Sequence, residues 1–263
     1  MIEKHILFIH GAHVTSRCWE RFIPFFEEKG YRCTAPDWPY DDRPVADLRA
    51  DPAPELGRIG VTEIIDHYEK LVREMAAQPV LIGHSYGGLF TQMLLDRGLG
   101  AAGVALDPAP PKGVLPTPAA FRSNFAPLAA WSRGRKTVRM TEKDFGRFFA
   151  NGIPAAERAQ AYRDQVVPTP VRIFLQSAAA PFHHVTEVDY RRPQRAPLLI
   201  TAGGKDRQVP ASMNRANFRR YSNHAGARVE FMAFPERSHA LILEPGWEQV
   251  AEAVAGWLER VLK

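Results

Sequence analysis

The stretch LIGHSYGGLF, residues 81–90, governs how the rest of the chain is read. A short apolar run, Val80 to Ile82, leads into Gly83-His84-Ser85-Tyr86-Gly87, and a helix-forming run continues to Arg97, where Gly98 stops it. A residue on the sharp turn between a strand and a helix is driven into a strained backbone conformation that exposes its side chain above the sheet. Its neighbours two positions away must then be very small, which Gly83 and Gly87 satisfy, and Gly88 lets the helix approach the sheet. A serine that only caps a helix is common, but capping does not explain the paired glycines. Ser85 is therefore the candidate nucleophile, and the helix N-terminus beneath it favours a developing negative charge.

A serine hydroxyl is a poor nucleophile near neutral pH and needs a base within hydrogen-bond reach, with an acid to orient that base. Both are found downstream. Asp206 lies just past the apolar run PLLITAGG, at a strand's carboxyl end, where open α/β sheets gather site residues. His239 lies in the loop ERSHALILEPGW between the run VEFMAFP and the terminal helix. Alone, Asp206 reads equally as a turn or helix cap and His239 as an ordinary loop histidine, but the order Ser85, Asp206, His239 is the one this architecture uses. Asp107 is the rival acid, since it also ends a strand, although Asp107-Pro108 reads well as a turn. The tetrahedral oxyanion needs backbone N–H donors: one from Tyr86, after the nucleophile, and one from Ala12 in the loop HGAHVTS after the first strand. Gly11 permits a tight turn there, His10 can brace the loop, and His13 projects near the mouth as a candidate substrate contact. His84 is as ready to brace the elbow as to meet ligand, and His183-His184 receives no role.

Outward from the elbow, apolar runs alternate with amphipathic segments. Strands are expected at Ile6 to Ile9, Tyr31 to Ala35, Val80 to Ile82, Val104 to Leu106, from Leu198, and at Val229 to Ala233. Helices are expected over Arg17 to Lys29, Thr62 to Ala76, Gly87 to Arg97, from near Ala211, and over Trp247 to Leu262. Continuous apolar strands joined by helices predict an α/β fold with a mostly parallel sheet flanked by helices. The Pro- and Asp-rich span 37–60 reads as a long surface loop. Between Asp107 and Ala196 no strand is evident and helical pieces fall at Ala119 to Ser132, Glu142 to Phe149 and Ala155 to Gln165, so a helical cap insertion is expected. The expected division is a core of residues 1–107 and 196–263 with a cap of residues 108–195, in one structural unit. Phe121, Phe125, Trp131, Phe145, Phe148, Phe149 and Phe182 are candidate pocket aromatics, though at helical spacing such residues more often form core.

Composition excludes several classes. Of 263 residues, 45% are hydrophobic and 24% charged, the balance of a globular domain rather than a disordered or fibrous chain. The N-terminal apolar run is too short for a secretion signal or a bilayer span, so a cytoplasmic location is expected. Cys18 and Cys33 have no metal-ligand spacing and are expected to be buried small hydrophobes. A net charge of +5 could point to an acidic partner, but the basic residues are scattered, and the clusters Arg133 to Lys136 and Arg191 to Arg195 read as solvated surface. No phosphate-cradling loop follows the first strand. The expected partner is a small-molecule substrate, an apolar ester, with no nucleic acid, cofactor or metal.

The segments FIHGAHVTSRCWERF, LIGHSYGGLF, LLITAGGKDRQVP and FPERSHALILEPGW resemble the α/β-hydrolase fold superfamily in order and over nearly all of the chain. The opening HGAH with Trp19 is similar to small esterases and hydroxynitrile lyases of the plant methylesterase type. The resemblance implies Ser85, Asp206 and His239 as a triad with Ala12 and Tyr86 as oxyanion donors. It also implies departures. Haloalkane dehalogenases and epoxide hydrolases carry Asp where Ser85 stands. The lyases have Thr at the place of Gly11 and Lys at the place of Ala240. The function expected is cleavage of a small carboxylic ester, thioester or lactone through an acyl-enzyme on Ser85. The alternatives are a C–C bond hydrolase or cofactor-free perhydrolase using the same triad, or a member of the fold that binds ligand without turnover.

Overall fold

The apolar strands are continuous because the central sheet is covered on both sides. The computed structural model describes residues 4–123, 125–222 and 228–263. Its strands are β1 (His5–Ile9), β2 (Arg32–Thr34), β3 (Val80–His84), β4 (Ala102–Leu106), β5 (Thr137–Val138), β6 (Thr169–Pro170), β7 (Leu198–Gly203) and β8 (Val229–Phe234). Six of them form one sheet in the order β2-β1-β3-β4-β7-β8, with every neighbouring pair parallel. Side chains alternate between faces. Ile6, Phe8, Ile82 and Val104 pack with Phe22 and Phe26 of the helix Phe22–Glu28 and with Val250, Val254 and Trp257 of the helix Trp247–Val261. Leu7, Ile9, Leu81 and Ala105 face the other way, onto Ile64, Ile65 and Tyr68 of the helix Val61–Glu74 and Leu89 and Phe90 of the helix Tyr86–Asp96.

The strand order also locates the site. The chain leaves β1 towards β2 on one side and returns with β3 on the other, so the order reverses between β1 and β3. Connections diverge from such a point and leave a crevice beyond the strands' carboxyl ends. The loop after β1 carries residues 10–13, and the turn after β3 carries Ser85.

Several expectations are corrected. The span 37–60 holds a short helix, Val45–Ala50, whose Val45 and Leu48 are buried with Val167, and a single 3-10 turn, Leu56–Arg58. One apolar pair three residues apart is too short a period to identify a helix. The segment between β4 and β7 is not free of strands: β5 and β6 pair antiparallel over two residues each. A further helix, Val171–Ala178, follows Pro170. The run 142–149 is one α-helical turn, Glu142–Asp144, followed by a π-helical turn, Phe145–Phe149. Cys18 is buried, but Cys33 is only half-buried near the sheet edge. Arg195 is not solvated: it is buried and pairs with Asp96 at 2.9 Å. No helix among the described residues is long and apolar enough to cross a membrane.

The turn after β3 leaves no room for side chains. A Cβ on Gly87 would lie 1.9 Å from the Ile9 carbonyl oxygen, and one on Gly83 2.0 Å from that of Gly87. In the terminal helix, a Cβ on Gly256 would meet nothing within 4 Å. Gly87→Ala is expected to destabilise the protein by at least about 2 kcal/mol in chemical denaturation, the range of overpacking against a rigid backbone. Gly256→Ala should instead stabilise by about 0.5–1 kcal/mol, because alanine is the better helix former.

Candidate active site

Ser85 has φ 56° and ψ −118°, a left-handed conformation that a serine adopts only under constraint. Its N–H donates to the Leu106 carbonyl at 2.9 Å, and its own carbonyl accepts from Leu89 and Ala109. These bonds reach β4, the helix Tyr86–Asp96 and the chain beyond β4, so the turn is held from three directions. Tyr86 is the first helical residue, and its N–H is among those without an intrahelical acceptor. Gly11 comes close from the β1 side: a Cβ there would lie 2.8 Å from Ser85 Cβ and 3.4 Å from its Oγ. A larger residue at position 11 would crowd the serine.

The loop after β1 is braced on both sides. His10 is buried and stacks on Trp38; its Nδ1 donates to the Gly11 carbonyl and its Nε2 accepts the Trp38 N–H at 3.0 Å. Burial pushes its pKa down, in keeping with a neutral ring. His13 takes a positive φ of 69°. Its N–H donates 2.8 Å to Thr169 Oγ1 and its carbonyl accepts the Val167 N–H, so the inserted segment sets the loop that carries Ala12. The His13 ring stacks on Phe174, and burial lowers its pKa to about 4, leaving it uncharged.

Asp206 and His239 meet in the crevice. Asp206 Oδ1 accepts the N–H groups of Gln208 and Val209, each at 2.7 Å, and Oδ2 lies 2.7 Å from His239 Nδ1. Asp206 thus holds the turn through one oxygen and contacts His239 through the other. With a proton on Nδ1 donated to Asp206, His239 Nε2 carries the free lone pair; it is buried and has no partner among the described residues. The imidazole is also held from outside the pair. His84 Nε2 donates 2.8 Å to the His239 carbonyl, Phe149 sets its ring edge-on at 4.9 Å, and the Phe149 carbonyl accepts the Ala240 N–H. His84 therefore braces the His239 loop and does not line the cavity. Glu244, buried beneath the loop, accepts the Ser238 N–H and hydroxyl.

Burial disfavours charge on both members of the pair. His239 is pushed down to about 4, against the attraction of Asp107, and Asp206 is pushed up to about 7, opposed by its hydrogen bonds. Asp107 is not merely a turn into the insertion, for it is fully buried beside Asp206 and His239. One ligand atom from each of the three lies within 4.8 Å of the others, a spacing a divalent ion could also use. The Asp206 oxygens, however, are already engaged by two backbone donors and His239, the arrangement of a hydrogen-bond network.

A cavity of about 430 Å³ opens over Ser85, Ala12, His13, Tyr86 and His239. Its walls are largely apolar: Pro110, Pro111, Val114, Leu115, Leu128, Phe149, Phe174, Val209 and Met213 all contribute. Of the aromatics named from sequence whose side chains are described, Phe149 alone is on this wall. Phe145 is core, Phe125, Trp131 and Phe182 are exposed, Phe148 is not on the wall, and the Phe121 side chain lies outside the described residues. Phe174 and Ser177 were missed because their helix went unrecognised; Val171, Phe174, Leu175 and Ala178 at helical spacing after Pro170 were the signal available. The Tyr86 hydroxyl donates to Ser177 Oγ at 2.9 Å. The Lys112 ammonium, on the same wall, lies 3.3 Å from His184 Nδ1 and 3.8 Å from Glu187.

The chain belongs to the alpha/beta hydrolase family, whose model matches residues 6–253. Among curated relatives, Methylesterase 8 of Arabidopsis thaliana is 29% identical over 105 residues, 37% of this chain and 34% of that protein. The Pyrethroid hydrolase of Sphingobium wenxiniae is 32% identical over 92 residues, 34% of this chain and 29% of that protein. The matched stretch thus spans about a third of the length of these relatives. Among solved structures, the methylesterase MES16 from Arabidopsis superposes with a TM-score of 0.66 at 12% identity, covering 96% of this chain and 98% of that one. The pyrethroid hydrolase PytH gives 0.66 at 18% identity, covering 98% of both. At these identities the structural likeness concerns the fold.

The buried pair makes a prediction independent of any substrate. In ¹⁵N-resolved NMR, His239 is expected to be neutral with its proton on Nδ1 at pH 8, where Asp206 is ionised, and to stay uncharged down to pH 5, titrating near the value of about 4 to which burial lowers it. A His239 already protonated at pH 6.5 would contradict this account of the site.

Proposed function

We propose that the protein is a cofactor-independent serine hydrolase of carboxylesterase type, acting on a small uncharged ester, thioester or lactone with an apolar acyl group. The observation that carries the reading is Ser85, held at a positive φ on the strand-to-helix turn, on the wall of the same cavity as His239, whose Nδ1 is held by Asp206. The names of the relatives, methylesterase and pyrethroid hydrolase, support ester cleavage.

In this mechanism Ser85 Oγ attacks the ester carbonyl carbon while His239 Nε2 takes the hydroxyl proton. Asp206 keeps the imidazole in the tautomer that leaves Nε2 basic and stabilises the imidazolium once it forms. The Ala12 and Tyr86 N–H groups receive the oxyanion, already oriented by the braced loop and by the helix start. Collapse expels the alcohol, protonated by His239; water, deprotonated by the same nitrogen, then releases the acid. His13, neutral and facing the cavity, touches the substrate without adding charge. Residues 108–195 act as a cap whose side chains select the acyl group, and the protein works in the cytoplasm.

The cavity favours an uncharged substrate, because its wall is largely apolar and the Lys112 ammonium already faces His184 and Glu187. A fluorophosphonate should label Ser85 in the wild type and leave Ser85→Ala unlabelled. Against p-nitrophenyl esters of increasing acyl length, kcat/KM should rise from acetate to medium chains and fall by palmitate, and S85A should lower kcat at least about a thousandfold. Undiminished turnover by S85A would refute the mechanism, and labelling at another residue would move the nucleophile.

A further inference from the structure

The site contains a second buried carboxylate for which the triad has no use. Asp107 directly follows β4 at a φ of 44° and is fully buried. Among the described residues its two oxygens share one backbone donor, the Gly203 N–H, at 2.9 and 3.0 Å, and Thr201 Oγ1 is 3.3 Å from Oδ1. Gly203 has no space for anything else, since a Cβ there would lie 2.8 Å from Asp107 Oδ2. The carboxyl group is thus confined between β7 and the Asp206–His239 pair.

Two adjacent carboxylates in a desolvated site cannot both ionise without a cation between them. The other groups facing the pair are His239, kept neutral by burial; His84, pushed well below its usual value, with its ring 4.7 Å from that of His239; His13, also neutral; and Glu244, a further acid. The Arg237 guanidinium faces Glu244, 4.0 Å away. One proton must therefore stay on the two carboxyls, and the hydrogen bonds assign it. Asp206 has three donors at 2.7 Å holding its negative charge, whereas Asp107 has one divided backbone donor and a long hydroxyl contact.

We propose, resting on the triad reading above, that Asp107 is a neutral carboxylic acid whose hydroxyl donates to Asp206, making it a positioning residue that keeps Asp206 ionised and turned towards His239. Burial and the Asp206 charge both push the Asp107 pKa well above the carboxylate range, and the same hydrogen bond works to lower that of Asp206. No bond is made or broken at Asp107 during turnover. Its contribution is a stationary proton donor, which a single-acid triad lacks.

The test separates the proton from the packing. Asp107→Ala removes the donor, so kcat should fall about tenfold and the acidic limb of kcat/KM should move up by about one pH unit as Asp206 becomes harder to ionise. Asp107→Asn supplies an amide N–H donor in the same place and should restore most of what D107A loses, while Asp206→Asn should not. An infrared difference spectrum, wild type minus D107N at pH 8, should contain the carbonyl stretch of a protonated carboxylic acid. That band is read without substrate, so it remains decisive if D107A folds poorly or if Ser85 resists labelling and the hydrolase reading fails. Loss of turnover in D107N as severe as in D206N, an acidic limb unmoved in D107A, or a carboxylate band in place of the acid band would each overturn the assignment.

Discussion

The molecule is organised around one backbone constraint: Ser85 must sit at a positive φ between a strand and a helix that nearly touch. The constraint is met because carbonyl oxygens of Ile9 and Gly87 approach positions where any side chain would collide, so residues 83 and 87 have to be glycine. That approach demands that β1, β3 and the helix Tyr86–Asp96 be close-packed, and the two apolar layers on either side of the sheet supply the packing. Strain at one residue is thus maintained by the cohesion of the whole core.

The second governing condition is desolvation. His10, His13, His84 and His239 are all buried, and each has its pKa lowered chiefly by that burial. A neutral imidazole has one donor and one acceptor, so the polar groups around it choose the tautomer. The Gly11 carbonyl and the Trp38 N–H do this for His10, the His239 carbonyl for His84, and Asp206 for His239. Protons, more than charges, are what the fold positions, and the hydrogen bond proposed between Asp107 and Asp206 belongs to the same pattern. The inserted segment takes part too, since Thr169 anchors His13 and Phe149 packs against His239.

Much of this could be read from the chain. The glycine-flanked serine, the acid after LLITAGG and the histidine after VEFMAFP are local signals tied to strand ends, and their crevice follows from a parallel sheet whose strand order reverses. The less legible parts lack such periodic support. The helix Val45–Ala50 offers a single buried pair, the strands β5 and β6 are two residues long, and the π-helical turn at Phe145–Phe149 has no distinct composition. Asp107 read as a turn because Asp-Pro is a strong local cue, and its closeness to Asp206 depends on β4 and β7 being neighbours.

The sequence by itself determined the fold class, the parallel sheet and the order of the three candidate residues, because these depend on apolar periodicity and on turn geometry within a few positions. Only the tertiary structure decided which side chains share the cavity, which polar groups face the buried histidines and which two carboxyls lie side by side. Those properties arise from desolvation and from contacts between residues as far apart as 107 and 206 or 84 and 239, and neither is encoded in local spacing.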